Sequence, residues 1–428
     1  MSASVPEKLK SLVSMGSISE DWDLSAQTMS QGQIQFLTSE SVSESAGWCG
    51  FDREAIEFLQ QAARFISSDT DLTRLAWHCH HLLFVCEPGR FSPWGWTVLT
   101  DLLGEYCGAF YLLVILSGIP AIRKVHTDLS IPEQVARDTY KDTLVWAKQY
   151  REIGIKKDDL FFHPSKPHVW GVDTRIMPWL LSHLYGHLYR IGRLQYKVGP
   201  NKQKLRVYRN KETRAIRLLA ESGLRFRGDG HFDGTAGRED PENAWNTKLT
   251  VANGRITGTV IHPGGKALRE PISLPLDIWE LILQEGDQIL EIHIPEDGPM
   301  DFDACGKSLS NAAEFFPKYF PARPFKAIVC TSWFLDPSYQ QLLSESSNIV
   351  RFQKECYLFP YPTTRTRNGL ERIFGAFTSD QENAPRDTSM RRAVLDHFDR
   401  GGILVGGGAL ILPDSLNWGH QVYLGSFP

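Results

Sequence analysis

The residues with the clearest chemical promise lie between positions 288 and 359. In Ile289-Leu290-Glu291-Ile292-His293-Ile294, the apolar Leu290, Ile292 and Ile294 alternate with Glu291 and His293. Alternation is the period of a strand, so a strand over 288–294 sets a carboxylate and an imidazole side by side on one face. Imidazole titrates near neutral pH, and a neighbouring carboxylate orients it or raises its basicity, so the pair suits a general base. An ordinary strand with one solvated face is the competing reading, and the two stand about level. A second predicted strand ends in Cys330-Thr331-Ser332-Trp333 and runs into Phe334-Leu335-Asp336-Pro337-Ser338-Tyr339. Asp336 is an N-cap type and Pro337 suits a first helical position. Tyr339 then falls in the first turn of a helix directly after the strand, where a phenol can protonate a leaving group. Simple packing is the alternative for Tyr339, and on pattern alone it is slightly favoured.

Other clusters carry less. Trp77-His78-Cys79-His80-His81 offers zinc-type ligands, with His78 and His81 on one helix face. A structural zinc site needs four ligands, and no second cluster stands at ligand spacing, so a half-buried helix with satisfied histidines is expected and no metal. His183 and His187 are four apart, but Leu184 stands where a zinc protease would carry its glutamate, so packing is expected there too. There is no Walker A sequence, no G-x-G-x-x-G after a strand and no G-x-S-x-G elbow. Gly401-Gly402 and Gly406 to Gly408 precede no helix and read as turn and bulge glycines.

The elements that must position the first two groups follow from periodicity. Residues 52–66, 75–84, 96–116, 132–150 and 178–190 carry helical spacing, with Gly118-Ile119-Pro120 as a helix stop. From about 192 the pattern changes. Strands are expected at 193–198, 205–208, 215–219, 249–251, 256–260, 288–294, 325–331 and 349–359, with one or two in 403–412. Asn253-Gly254 marks a tight hairpin. Helices are expected at 302–316, 337–343 and 390–398. Residues 228–242 and 363–385 read as loop-like insertions. The fold class is therefore α+β, with an all-helical domain at 1–190 (its first 50 residues weakly ordered or in short helices) and a mixed α/β domain at 191–428.

Composition narrows the function. The chain has 428 residues, 42% of them hydrophobic, and a formal net charge of −4. That is too apolar for a disordered chain, and it offers no bulk positive charge for nucleic acid. Seven cysteines, an odd number without a C-x-x-C pair, fit reduced thiols and a cytoplasmic location. The N-terminus lacks a secretory h-region. The apolar run 107–122 is too short to span a bilayer and reads as a core helix.

The chain resembles a bacterial two-domain acyltransferase family, a helical N-acyltransferase N-terminal domain followed by a GNAT-like C-terminal domain. The stretches that carry the resemblance are LSGIP (116–120), ARDTYKDTLVWAKQY (136–150), HLYRIGRLQY (187–196), LEIHIPEDGPMD (290–301), LSNAAEFFPKYFP (309–321), FKAIVCTSWFLDP (325–337), SNIVRFQ (347–353) and PRDTSMRRAVLDHFDRGGILVGGGALIL (385–412). The resemblance implies transfer of an acyl group from a thioester to an amine by direct attack. By position His293 and Glu291 take the role of base, Tyr339 that of acid, and Ser332, Trp333 and Gly298 lie where the thioester co-substrate is held. One departure bears on the donor. Where GNAT enzymes carry a glycine-rich pyrophosphate loop, this chain has Pro295-Glu296-Asp297-Gly298-Pro299-Met300-Asp301, with one glycine, two prolines and three acids. Three outcomes stay open: an acyl-CoA bound atypically, an acyl carrier protein as donor, or a non-catalytic sensor or scaffold. The expected acceptor is an amine on a small molecule or peptide; the acidic stretch 229–242 suits a basic peptide or is a solvated loop. Neither nucleic acid nor a membrane span is expected.

Overall fold

The computed structural model describes residues 5–9, 16–30, 32–97, 99–153, 156–157, 161–162, 169–363, 367–374, 384–425 and 427. The chain divides into two compact units, residues 1–191 with 295–297 and residues 192–294 with 298–428.

The first unit is helical: α1 (Trp22–Thr28), α2 (Ser39–Trp48), α3 (Arg53–Ser67), α4 (Thr70–His80), α5 (Cys107–Leu116), α6 (Ile119–Asp128), α7 (Glu133–Ile153) and α8 (Met177–Leu184), then a short strand β1 (Leu188–Ile191). Aspartates cap α3 and α4. Asp52 accepts from the Ala55 N–H at 2.9 Å, and Asp69 accepts from those of Asp71 and Leu72. Every residue of α5 is buried, as expected of a helix apolar on all sides, and α2, α3 and α4 pack against it. The stretch Thr100–Asp128 has the length and hydropathy of a membrane span, but 78% of its most apolar window is buried within the protein.

Three boundaries differ from expectation. Gly104, at φ 51°, separates a short helix at Thr100–Leu103 from α5, so 96–116 is not one helix. Pro120 starts α6 rather than ending α5, because a proline in a first turn forfeits no hydrogen bond. The helix expected over 178–190 ends at Leu184; Gly186, at φ 67°, turns the chain into β1.

The second unit has two large sheets and a two-stranded ribbon, Arg225–Phe226 against Trp245–Asn246. The strands are β2 (Leu194–Pro200), β3 (Leu205–Asn210), β4 (Ile216–Ala220), β5 (Thr250–Ala252), β6 (Arg255–His262), β7 (Lys266–Pro275), β8 (Trp279–Leu283), β9 (Gln288–His293), β10 (Ile328–Ser332), β11 (Tyr357–Pro360) and β12 (Gly407–Ile411). One sheet runs β7-β6-β4-β3-β8, with β5 also paired to β6; in the other, β11-β12-β10-β9-β2 are neighbours in that order. Val207, Leu218 and Ile261 of the first share a core with Ile289, Val329, Tyr357 and Leu410 of the second. The longer helices are α9 (Phe302–Tyr319), α10 (Asn348–Lys354), α11 (Arg367–Phe374) and α12 (Ser389–Asp399), and a single helical turn at Tyr339–Leu342 falls where 337–343 was expected.

Asn253 and Gly254, at φ 49° and 69°, form the expected tight hairpin between β5 and β6. β7 was not expected: Pro271 and Pro275 interrupt its pattern, and it lies at a sheet edge, where proline is tolerated. Residues 349–359 were expected as a strand. Instead α10 buries Val350, Phe352 and Gln353, and only 357–360 is strand. Within 363–385, α11 forms because Leu370, Ile373 and Phe374 recur at helical spacing and join an apolar cluster; 364–366 and 375–383 lie outside the described residues. The loop 228–242 is loop-like as read, and much of its acidity is matched by its own groups. Arg227 pairs with Asp229, Arg225 with Asp233, and Asp240 caps the Gly228 N–H.

Candidate active site

β9 positions Glu291 and His293. Along one face of this strand the residues pass from Ile289, 2% exposed in the inter-sheet core, to Glu291 and then His293 at the strand's end. The two side chains are 30% and 35% exposed, with His293 Nε2 3.9 Å from Glu291 Oε2. Across the antiparallel register Lys197 stands opposite Glu291 and Gln195 opposite His293, so four polar side chains share this face. Leu290 and Ile292, on the other face, are buried. β9 also pairs with β10 in parallel, through Leu290–Ile328 and Glu291–Val329. That register stops short of His293 on one strand and of Ser332 on the other.

The β9-to-β10 connection is the helix α9. Its N-cap is Asp301, whose carboxylate accepts from the Ala304 N–H at 2.8 Å, and Asp303 follows in the first turn. A helix N-terminus favours anions; here the protein's own acids occupy that end. In the preceding loop Asp297 pairs with Arg190 at 2.6 Å within the helical unit. The Gly298 and Pro299 carbonyls accept from Arg193 within the second unit. A Cβ placed on Gly298 meets no protein atom within 4 Å, and Gly298 does not have a positive φ.

The β10 end holds the remaining expected residues. Ser332 caps the short turn Trp333–Leu335, accepting from the Phe334 N–H at 3.3 Å. Trp333 meets the Tyr339 ring edge-on at 6.3 Å between centroids. Tyr339 is fully buried among Ile373, Phe374, Val394, Leu395 and Leu404, and its hydroxyl has no hydrogen-bond partner among the described residues. Burial holds the phenol well above its ordinary pKa, so it stays protonated.

Asp336 does more than cap a helix. It is fully buried, accepts from the Ser338 N–H at 2.8 Å and the Val405 N–H at 2.6 Å, and so ties the turn after β10 to the approach to β12. Burial pushes its carboxyl up to about 6. The glycines of β12 make that approach: a Cβ on Gly407 would lie 1.9 Å from the Leu335 carbonyl oxygen, and one on Gly408 equally close to the Phe359 ring. They are glycines of close packing inside a regularly paired strand, not the turn and bulge glycines expected.

The helical unit answers the histidine clusters. His78 is fully buried, with Nδ1 on Ser25 Oγ and Nε2 on the Ile18 carbonyl, both at 2.7 Å; burial lowers its pKa to about 4. His80 Nδ1 meets Ser117 Oγ at 2.7 Å, and His81 Nδ1 meets Thr28 Oγ1 at 2.9 Å. His183 and His187 do not share a helix, because α8 ends between them. His183 lies instead 3.6 Å from Asp142, both almost fully buried, and the indole N–H groups of Trp146 and Trp179 donate to the same carboxylate. Asp142, on α7, was not singled out from sequence, since its partners sit 37 to 41 positions on or one turn away.

A parallel strand pair joined by a crossover helix, followed by an antiparallel pair, is the layout of a GNAT-type acyltransferase, and the comparisons with known proteins agree. Residues 41–153 match the N-acyltransferase N-terminal domain family, and residues 188–410, just over half of the chain, match the GNAT-like C-terminal domain family. The chain belongs to this two-domain acyltransferase family and is an acyltransferase enzyme. No curated protein sequence matches it. Among solved structures, an acyltransferase in complex with CoA and 10C-teicoplanin is similar in fold, with TM-score 0.60 and 19% identity over 96% of this chain and 99% of that one. A mutant acyltransferase in complex with octanoyl-CoA gives the same values. An acyltransferase in complex with decanoyl-CoA and teicoplanin gives 0.58 and 18% over the same shares.

Proposed function

We propose that the protein is a cytoplasmic N-acyltransferase that moves an acyl group from acyl-CoA to an amine on a small molecule. The observation that carries the reading is the partly exposed Glu291–His293 pair at the end of β9, beside the parallel strand β10. In the proposed step the amine nitrogen attacks the thioester carbonyl and His293 takes the amine proton. As the N–C bond forms, the C–S bond breaks and the sulfur leaves as thiolate. Glu291 orients His293 and stabilises its cation. The His293 cation then returns its proton to the sulfur; Tyr339, the acid expected from its position, is sealed in an apolar cluster, and its full burial supports the packing reading. Ser332, Trp333 and Gly298 flank the donor. No covalent enzyme intermediate is required, so the protein's task is positioning and proton transfer. The neighbours' CoA, acyl-CoA and teicoplanin ligands support a thioester donor and a small-molecule amine.

The loop before α9 favours a second reading of the donor alone. Its carbonyls are taken by Arg193, and acids stand at the helix start. A pyrophosphate gains little there, whereas the pantetheine arm of an acyl carrier protein carries none. The test is a thermal-shift and turnover screen of acyl-CoA thioesters from acetyl to palmitoyl, with free CoA and acyl-pantetheine as controls. Stabilisation that grows with chain length and needs the nucleotide supports acyl-CoA. Equal binding of acyl-pantetheine selects the carrier protein. Binding without turnover, over a panel of amines, makes the protein a sensor and overturns the proposed enzyme mechanism.

A further inference from the structure

The helical unit contains a cluster that acyl transfer does not use. One ligand atom each of Asp21, His81 and Cys86 lies within 4.8 Å of the others. Four features set this cluster apart from ordinary packing. His81 is 2% exposed, and its Nε2 is buried without a hydrogen-bond partner among the described residues. Its Nδ1 faces Thr28 Oγ1 at 2.9 Å, and that hydroxyl donates its own proton to the Ser25 carbonyl at 3.0 Å. A metal on Nε2 requires the tautomer in which Nδ1–H donates to Thr28, and the Thr28 hydroxyl can accept it, with the Ser25 carbonyl in reach of its own proton.

The second feature is the backbone. α4 continues into a π-helical turn at His81–Val85, closed by the Cys86 N–H on the His81 carbonyl. Its wider winding brings His81 and Cys86, five apart, toward one side, where an α-helix would separate them by well over a quarter turn. Third, Asp21 occupies the N-cap position of α1 but makes no side-chain cap, and its φ is 55°. Its carboxylate goes instead to Cys86 Sγ, at 4.0 Å, and to Arg90, at 3.2 Å. Fourth, that sulfur–oxygen separation is close to the ~3.5 Å expected across a tetrahedral zinc, given bonds of about 2.3 Å to sulfur and 2.0 Å to oxygen.

We infer that Asp21, His81 Nε2 and Cys86 bind a divalent transition metal of the zinc class, with Thr28 as the residue that orients His81. Carboxylate, imidazole and thiolate together suit zinc, and three protein ligands leave the fourth position to water. Asp21, before α1, and Cys86, after the π-turn, share the ion. Arg90 competes with it for Asp21.

The test uses the full chain, stripped with chelator and titrated with Co2+ as a spectroscopic probe. One Co2+ per chain binds, with a thiolate-to-cobalt charge-transfer band that Zn2+ displaces. Cys86→Ser abolishes the band, while Cys49→Ser and Cys107→Ser keep it. Thr28→Val weakens binding about tenfold, as loss of an outer-shell partner does. Arg90→Gln tightens it severalfold, an effect a nonspecific site would not show. Zn2+ raises the melting temperature of the wild type and not of Cys86→Ser. Should Cys86→Ser fail to fold, wild-type alkylation read by peptide mass spectrometry decides: Zn2+ protects Cys86 from iodoacetamide. A band that survives Cys86→Ser, binding that does not saturate at one ion, or no protection of Cys86 overturns the site.

Discussion

The same side chain has opposite fates in the two units. In the helical unit His78 and His126 are 0% and 2% exposed, and burial holds both at a pKa of about 4. His78 has both ring nitrogens engaged, and His126 stacks on Tyr140 and bonds its hydroxyl at 2.6 Å. A base so hard to protonate, and out of reach of solvent, serves packing. In the α/β unit His293 sits at a strand end, about a third exposed, with a carboxylate 3.9 Å away. A base must meet both substrate and solvent protons, so partial exposure beside a charge distinguishes a chemical histidine from a structural one. The α/β unit has a buried histidine of its own in His231, also lowered to about 4 by burial, so the contrast lies between environments rather than folds.

Substitutions sharpen this contrast. His293→Ala should lower turnover by about 10²- to 10⁴-fold, the range for loss of a general base, with melting temperature unchanged. His126→Asn should do the reverse. CoA release, read with an amine that turns over, and thermal melts check both.

Acid should separate the units next. A histidine held neutral by burial binds its proton more readily once unfolded. Its stabilisation is complete above the unfolded pKa near 6.5 and is lost as pH falls toward about 4. For His78 and His126 the full shift corresponds to about 3 kcal/mol each. Hydrogen exchange at pH 7 and pH 5 should show the core of the helical unit opening more readily at the lower pH. Equal protection at both would mean these histidines titrate normally.

Asp336 runs the other way. Its folded pKa of about 6 lies above the ordinary aspartate value of 3.8. The stability linked to its neutral form is present below 3.8 and is lost as pH rises through 6, by up to about 3 kcal/mol. Asp336→Asn should remove that slope in urea unfolding followed from pH 4 to 7. A slope that persists would place the carboxyl in a more polar environment than its burial implies. The smallest effect expected is Glu291→Gln, about tenfold in kcat/KM or ~1.4 kcal/mol, read by the same CoA-release measurement.

What could be read from the sequence was what depends on near neighbours. Glu291 and His293 are two apart, so strand periodicity alone puts them on one face. The fully apolar α5, the Asp52 cap and the Asn253-Gly254 turn are equally local. β7 was hidden because an edge strand tolerates Pro271 and Pro275, which erase its alternation. α10 was misread because Ile349, Val350 and Phe352 suit either period over so short a run. The Asp142–His183 pair and the Asp21–His81–Cys86 cluster join residues 41 to 65 positions apart, the latter through a π-turn with no pattern of its own. The burial of Tyr339 likewise depends on α11 and α12, distant in the chain, which is why its first-turn position alone could not decide between acid and packing.

The most direct test of the central claim is CoA release by the wild type and His293→Ala across the acyl-chain series, with acyl-thioester binding measured in parallel. The account predicts that both proteins bind the same acyl thioesters and that only the wild type turns them over at speed. Full turnover by His293→Ala would contradict it.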